Sequence, residues 1–320
     1  MGIKKTRKNK KYNLVYMAKP VYGGWVSFTS HLALKKNYSL YKISNNTESK
    51  ERPYGYGVGY RNMSIEDILK LPNLLITAVD KKYYQYLPKI RNATIVIHDP
   101  TELKEEVLEF IKRNRVITIR ETVKSLLKKK HGINSRFLYH PFYEFPIDPI
   151  NTSKKTNNIS ISRVDFDKNT HIIVEANDRL AKKKQVQIYG ALNDLYVYHK
   201  LRDTNFKKYY KGKFGKDFDD LKKLLETCRY MVDLSSIKHD GGGSQYTFLE
   251  AIYMGCILVL NSKWVDNVKT PFINNSNCIV VRDSSELRQV LSSSITTTQQ
   301  KKLIGNAKKL IKKHTQARGW

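Results

Sequence analysis

Tyr12-Asn-Leu-Val-Tyr-Met-Ala-Lys-Pro-Val-Tyr-Gly-Gly-Trp-Val-Ser-Phe-Thr-Ser-His-Leu-Ala-Leu-Lys-Lys-Asn-Tyr-Ser-Leu-Tyr-Lys-Ile43 is the stretch that decides the fold. Its apolar start, 12–18, reads as a strand, and Lys19 to Gly24 as a turn. A helical pattern follows over 25–34 and a second strand over 38–43. Strand, glycine turn, helix and strand make one βαβ unit, whose crossover is right-handed. Working outward, strands are expected at 73–77, 93–97, 116–119 and 136–139, with helices at 64–70, 102–112 and 121–130. Alternation of this kind predicts a parallel sheet covered on both faces.

The pattern breaks between 140 and 158, where Pro141, Pro146 and Pro149 precede Asn151-Thr-Ser-Lys-Lys-Thr-Asn-Asn158. A Pro-rich segment followed by a polar one marks a domain boundary. Strands then resume at 159–162, 185–189, 230–234, 256–260 and 279–281, with helices near 170–181, 216–227, 246–254 and 284–291. A strongly basic helix is expected at 298–313. The expected organisation is a basic tail (1–11), a first α/β domain (12–150), a second (151–297) and a C-terminal helix (298–320) that can cross back to the first domain. Two such domains would face each other across a cleft, and doubly wound sheets bind ligands at their strand ends.

The chain has 320 residues, 58 Lys+Arg against 29 Asp+Glu, and a formal net charge of +29. At about 100–200 residues per domain the length suits two domains with separate cores. Three cysteines, Cys228, Cys256 and Cys278, are too few for a disulfide scaffold and fit a reducing, cytoplasmic setting. The longest apolar stretch, Leu249 to Leu260, contains Glu250 and falls short of the ~20 residues that span a bilayer. The charge would attract a polyanion, nucleic acid first. Yet Lys outnumbers Arg nearly three to one and Asn, Ile and Tyr abound, as an AT-rich genome produces unaided. The run Gly2-Ile-Lys-Lys-Thr-Arg-Lys-Asn-Lys-Lys11 reads as a disordered basic tail without a signal peptide's apolar segment. Met1-Gly2 with Thr6 also fits the loose myristoylation pattern.

Four segments can carry chemistry. In Ser162-Arg163-Val-Asp-Phe-Asp-Lys168, after the second domain's first strand, Arg163 and Lys168 can converge on a diphosphate, or else decorate an exposed turn. Gly241-Gly-Gly-Ser-Gln-Tyr-Thr-Phe-Leu-Glu-Ala-Ile-Tyr-Met-Gly-Cys256 runs a glycine loop into a helix, a natural phosphate cradle. Glu250 within it needs a partner if buried, either a ribose diol or a structural salt bridge. The turn at Gly23 and Gly24 allows close approach to the backbone, or is simply a tight βα turn. In Ile95-Val-Ile-His-Asp-Pro100, His98 and Asp99 suit acid–base or hydrogen-bonding work, while Asp99 before Pro100 is equally good capping chemistry.

On these residues the chain resembles the retaining GT-B glycosyltransferases. Arg163 and Lys168 at their spacing, and the glycine loop before Leu249-Glu250-Ala with Gly255 behind it, match the donor site of that family. Its usual loop carries a Glu eight residues before the helix Glu; here that position is Gly242. Met17-Ala-Lys-Pro-Val-Tyr-Gly-Gly-Trp-Val-Ser27, the His98-Asp99 pair and Tyr246-Thr-Phe-Leu-Glu250 are similar to the DNA α-glucosyltransferases of T-even phages. The resemblance implies two Rossmann-like domains and a UDP-sugar donor, UDP-glucose first, used without a metal. Arg163 and Lys168 would stabilise the diphosphate and Glu250 would hold the ribose. Gly242, Gly243, Ser244, Tyr246 and Thr247 would line the phosphates, and His98 and Asp99 would meet the sugar and the acceptor hydroxyl. A monomer acting on hydroxymethylated pyrimidines in duplex DNA is implied. The alternatives are a protein, polysaccharide or lipid-linked glycan acceptor, or a non-catalytic nucleic-acid-binding protein of the same fold. The acceptor side would use Lys19 and the Tyr/Gly/Arg segment Glu51-Arg-Pro-Tyr-Gly-Tyr-Gly-Val-Gly-Tyr-Arg61, through Arg52, Tyr54, Tyr56, Tyr60 and Arg61. Read as a long loop, that segment could stack on bases and touch phosphates, or be only a surface loop.

Overall fold

The computed structural model describes residues 11–18, 23–43, 55–213, 217–236 and 243–320. Lys19, Arg52, Tyr54, Gly242 and the tail through residue 10 lie outside the described residues. The chain divides into two units, Met1–Pro141 with Gly319–Trp320, and Phe142–Arg318.

The first unit is built in chain order from β1 (Asn13–Met17), α1 (Gly24–Lys36), β2 (Ser39–Ile43), β3 (Arg61–Met63), α2 (Ile65–Lys70), β4 (Leu74–Val79), β5 (Thr94–Ile97), α3 (Glu105–Arg113), β6 (Arg115–Thr118), α4 (Glu121–His131) and β7 (Arg136–Phe137). Its strands lie in the order β3-β2-β1-β4-β5-β6-β7, every pair parallel. The sequence of β4, Leu-Leu-Ile-Thr-Ala-Val, is buried at every position, as a central strand covered on both faces must be. Local chemistry sets the ends of helices. Asn37 closes α1 in the left-handed region (φ 50°), and Ser64 caps α2 by accepting from the Asp67 N–H. Trp320 returns to this unit, its ring 5.3 Å from that of Phe28 and its Nε1 donating to the Tyr139 carbonyl at 2.8 Å.

The second unit contains β8 (Asn157–Ile161), α5 (Thr170–Asp178), β9 (Val186–Tyr189), α6 (Asp194–Tyr196), α7 (Phe206–Tyr209), α8 (Phe218–Glu226), β10 (Cys228–Asp233), α9 (Tyr246–Tyr253), β11 (Ile257–Asn261), α10 (Ser262–Val265), β12 (Ile279–Val281), α11 (Ser284–Ser292) and α12 (Thr297–Thr315). Its parallel sheet runs β12-β11-β10-β8-β9. A capping box of Thr296 and Gln299 opens α12. The expected α/β class, two parallel sheets with helical crossovers, is what the structure shows.

Several pieces escaped the sequence, among them α6, α7 and α10, each of three or four residues. Arg61, read as the end of a loop, begins β3, an edge strand of three residues whose first two are exposed and so leave no apolar alternation. Residues Lys81–Lys89 form a 3-10 turn around Pro88, and Val197–Leu201 a π turn after α6. The first has the three-residue turn of a 3-10 helix with Pro88 inside it, and the second is too short for a period to register.

Lys155 enters the core of the second unit with only 1% exposure. Its Nζ donates to the Leu225 carbonyl (2.9 Å), the Cys228 carbonyl (3.2 Å) and, more weakly, the Glu226 carbonyl (3.4 Å), where α8 ends and β10 begins. An ammonium at a helix C-terminus answers carbonyls that the helix leaves unbonded. Lys155→Met should therefore orphan buried acceptors and lower stability by about 2 kcal/mol or more. Urea unfolding reads this directly, and an unchanged midpoint would show that those carbonyls find other partners.

Candidate functional site

In each sheet one pair of adjacent strands is also where strand order reverses. In the first unit it is β1 beside β4, and in the second β8 beside β10. Ligands of open parallel sheets bind outside the carboxyl ends of such strands. The segments singled out in the sequence emerge there. Gly23 and Gly24 follow β1, His98 ends the strand next to β4, and Arg163 to Lys168 follow β8. The loop into α9 follows β10.

After β8 the chain turns within Ser162–Asn169. Val164 bridges to Leu192, and Asn169 enters α5 from the left-handed region (φ 49°). Arg163 stays exposed, with Nη1 2.8 Å from Asp165 Oδ2 and Nη2 3.7 Å from Asp167 Oδ1. Lys168 is buried; its Nζ lies 3.4 Å from Asp167 Oδ2 and donates to Ser235 Oγ at 2.8 Å. Ser235 in turn donates both its hydroxyl and its N–H to Asp233 Oδ1, the latter at 2.9 Å. Asn169 Nδ2 reaches the Leu234 carbonyl (2.8 Å) and Ser236 Oγ (2.7 Å). Two strand ends distant in the chain are thus tied into one ledge of paired charges.

Gly190 makes that ledge possible. It follows β9 at φ 152°, and a Cβ there would sit 1.7 Å from the Ser162 carbonyl oxygen. Only glycine tolerates the approach.

The start of α9 contributes polar groups that lack partners. Thr247 Oγ1 and Gln245 Nε2 are buried and make no hydrogen bond, as is true of Asp233 Oδ2 across the sheet edge. Gln245, the N-cap, supplies no side-chain cap. Buried orphans of this kind cost about 1–3 kcal/mol each unless water or another group meets them. Just before them the loop is anchored twice. Trp264 Nε1 donates to the Gly243 carbonyl at 3.1 Å, and Ser244 Oγ lies 3.2 Å from Nε2 of the buried His314 on α12. Tyr246 and Glu250 are both buried on α9.

In the first unit, His98 is buried at the end of β5, edge-on to Phe28 (4.8 Å) and tilted toward Trp25 (6.5 Å). Its Nε2 is 2.7 Å from the Thr77 carbonyl. A carbonyl only accepts, so Nε2 carries the proton and Nδ1 is left as an acceptor. Burial depresses the imidazole to about 4, against the Thr77 hydrogen bond and Asp99, which both favour the cation. Asp99 caps the turn Pro100–Glu102, accepting from the Thr101 N–H at 2.8 Å. Glu102 takes Trp25 Nε1 (2.7 Å) on one oxygen and the His98 N–H (3.0 Å) on the other. Burial, and then the charge of Asp99, raise its carboxyl to about 8.

Of the acceptor-side candidates, Tyr56 packs on α1, its hydroxyl 2.9 Å from Ser27 Oγ and its ring 5.8 Å from that of His31. Tyr60 lies under Lys42 Nζ (5.3 Å), and Arg61 is exposed in β3. The sequence missed Glu102, Asp233, Ser235, Gln245 and Gly190. Only Asp-Leu-Ser at a strand end, 233–235, carried a usable signal.

Known structures share this fold at low identity. HepE of Anabaena, in complex with UDP and glucose, is similar at a TM-score of 0.68 and 12% identity, over 96% of this chain and 96% of that one. An α-glucosyltransferase in complex with UDP and a 13-mer DNA containing an HMU base gives 0.69 and 14%, over 95% of each chain. A glycosyltransferase from Rickettsia africae gives 0.63 and 15%, over 95% of this chain and 94% of that one. No protein-family model matches the sequence, and no curated protein does. The fold held in common is GT-B.

Two outcomes test this geometry. Gly190→Ala should displace the Ser162–Arg163 backbone and lower stability by about 2 kcal/mol or more in urea unfolding; an unchanged midpoint would free the ledge from Gly190. The second concerns pH. Glu102 binds its proton more tightly folded than unfolded, so its contribution to stability is full below its ordinary 4.5 and is lost as pH rises through about 8. His98 runs the other way, contributing fully above 6.5 and losing that as pH falls through about 4. Glu102→Gln should remove up to about 1.4 kcal/mol per pH unit of slope from the stability profile between those two carboxyl values. An imidazole NMR titration should find His98 neutral down to about 4.

Proposed function

We propose that this chain is a glycosyltransferase that moves a hexose, glucose first, from a UDP-sugar to the hydroxymethyl group of a modified pyrimidine in DNA, with retention at the anomeric carbon. The observation that carries the reading is the ledge at the β8/β10 edge. Arg163 and Lys168 stand there, and the chain leaving β10 at the same edge leads to the start of α9, where Thr247 Oγ1 and Gln245 Nε2 are buried without a protein partner. The same fold holds UDP with glucose in one known structure and UDP with DNA in another, which supports both the donor and the acceptor class.

In the reaction the bond between the anomeric carbon and the β-phosphate oxygen breaks, and UDP leaves with the electron pair. The acceptor oxygen bonds to the same carbon, and its proton passes to the departing phosphate. Negative charge grows on the diphosphate as this happens. Arg163 and Lys168 are assigned to stabilise it, as charge-assisted donors do when they need no reorganisation. Lys168 is already held by Ser235, so it is a fixed charge; Arg163 is exposed and can exchange its carboxylate partners for phosphate oxygens. Gly242, Gly243, Ser244, Tyr246 and Thr247 are assigned to the phosphates, and Glu250 to the ribose hydroxyls. Gly23 and Gly24 would let the donor approach the backbone. His98, neutral and with Nδ1 as an acceptor, suits a sugar hydroxyl, and Asp99 joins it on the acceptor side with Lys19, Arg52, Tyr54, Tyr56, Tyr60 and Arg61. No metal is assigned a role.

The test is labelled UDP-glucose with duplexes containing hydroxymethylcytosine, hydroxymethyluracil or unmodified bases. Transfer is expected only to modified duplexes; transfer to a glycan and to none of the duplexes would sink the DNA reading. Arg163→Ala and Lys168→Ala should each cut turnover at least ~10²-fold. Near-normal rates in both would remove them from the donor site.

A further inference from the structure

The C-terminal helix α12 has two opposite faces with different work. Gln300, Leu303, Ile304, Ala307, Leu310, Ile311 and His314 are buried, and Leu303 and Ile304 belong to the core of the second unit. The exposed side carries Lys301, Lys302, Lys308, Lys309, Lys312 and Lys313. At about 100° per residue these six fall within an arc of roughly 140°, and from first to last they span about 18 Å of axis. No Asp or Glu occurs after Glu286 in the sequence. The ion pairs among the described residues involve none of the six. Lys309 reaches only the Asn306 amide oxygen, at 3.0 Å.

We infer that this lysine face is a docking surface for the phosphate backbone of the duplex acceptor. The inference rests on the DNA acceptor proposed above and names the surface that would hold the duplex. Six cations over about 18 Å cover the axial length of about five base pairs, at about 3.4 Å of rise each. Codon bias accounts for the abundance of lysine and burial of the opposite face for its clustering, but neither accounts for the absence of every carboxylate after Glu286. An anionic membrane is the less fitting partner. Interfacial helices insert an apolar face, and the apolar residues of α12 are already spent on the core. None of the exposed large hydrophobic residues lies on it. The contact is electrostatic and reads no bases, so it would set affinity and position rather than sequence preference.

The experiment compares the full chain with a variant in which all six lysines are Gln, and with one in which all six are Arg. Binding to an unmodified duplex of about two helical turns is followed by fluorescence anisotropy across a salt series. Each lost phosphate contact reduces the slope of log affinity against log salt by about 0.9, so the Gln variant should be shallower by up to about 5 and weaker by at least ~10²-fold near 0.1 M salt. The Arg variant should bind as the natural chain does. Acceptor-independent hydrolysis of UDP-glucose should be the same in all three. Equal duplex binding by the Gln variant overturns the inference, as does failure of Arg to restore binding. So does a Gln variant that loses phosphatidylserine vesicles while keeping DNA. Should the Gln variant not fold, a salt slope near zero for the natural chain has the same force. Transfer to modified duplexes by a Gln variant as readily as by the natural chain would sink this inference alone. No UDP-glucose hydrolysis by the natural chain would instead sink the donor reading.

Discussion

The hydrogen bond from Lys168 Nζ to Ser235 Oγ, 2.8 Å long, joins the ends of the two strands between which the second sheet reverses its order. Much of the candidate site depends on that join. Lys168 is buried, and a buried ammonium is tolerable only where fixed dipoles and carboxylates replace its water. Ser235 provides one dipole because Asp233 holds it, and Asp167 provides a carboxylate at 3.4 Å. The ledge is therefore arranged before any ligand arrives, and preorganised charge of this kind costs no reorganisation when it meets an anion. Gly190 belongs to the same constraint, since it lets β9 crowd the carbonyl of Ser162 without moving Arg163.

The first unit solves a different electrostatic problem. His98 and Glu102 are buried beside the partly buried Trp25, tied by the Trp25 Nε1–Glu102, His98 N–H–Glu102 and His98 Nε2–Thr77 hydrogen bonds. Burial favours the neutral state of both ionisable members, lowering the imidazole to about 4 and raising the carboxyl to about 8. The result is a fixed tautomer rather than a charge, a group suited to directing hydrogen bonds. The second unit holds permanent cations in place; the first holds neutral donors and acceptors.

Much of this was legible in the chain. The βαβ pattern of 12–43 and the later alternation gave strands and helices close to those observed, because apolar runs of that length bounded by glycine and asparagine have few other uses. Arg163, Lys168 and the loop before α9 were visible as motifs at strand ends. Their partners were not. Glu102 reads as the first turn of a helix and Gly190 carries no signal, since each acts through a residue distant in sequence. Arg61 to Met63 escaped for another reason: a three-residue edge strand with exposed side chains has no period to detect.

What the sequence by itself determined is the class of structure and the supply of cations: two alternating α/β segments, an Arg and a Lys on one turn, a terminal helix without carboxylates. Periodicity and charge are local properties, and they survive reading one residue at a time. What only the tertiary structure decided is which of those cations are fixed and which are exposed. Lys168 and Lys155 are buried and bonded, while Arg163 and the six lysines of α12 face solvent. That division depends on parallel strands distant in sequence lying side by side, with their carboxyl ends at one edge. Burial is a sum over neighbours that the linear order does not contain.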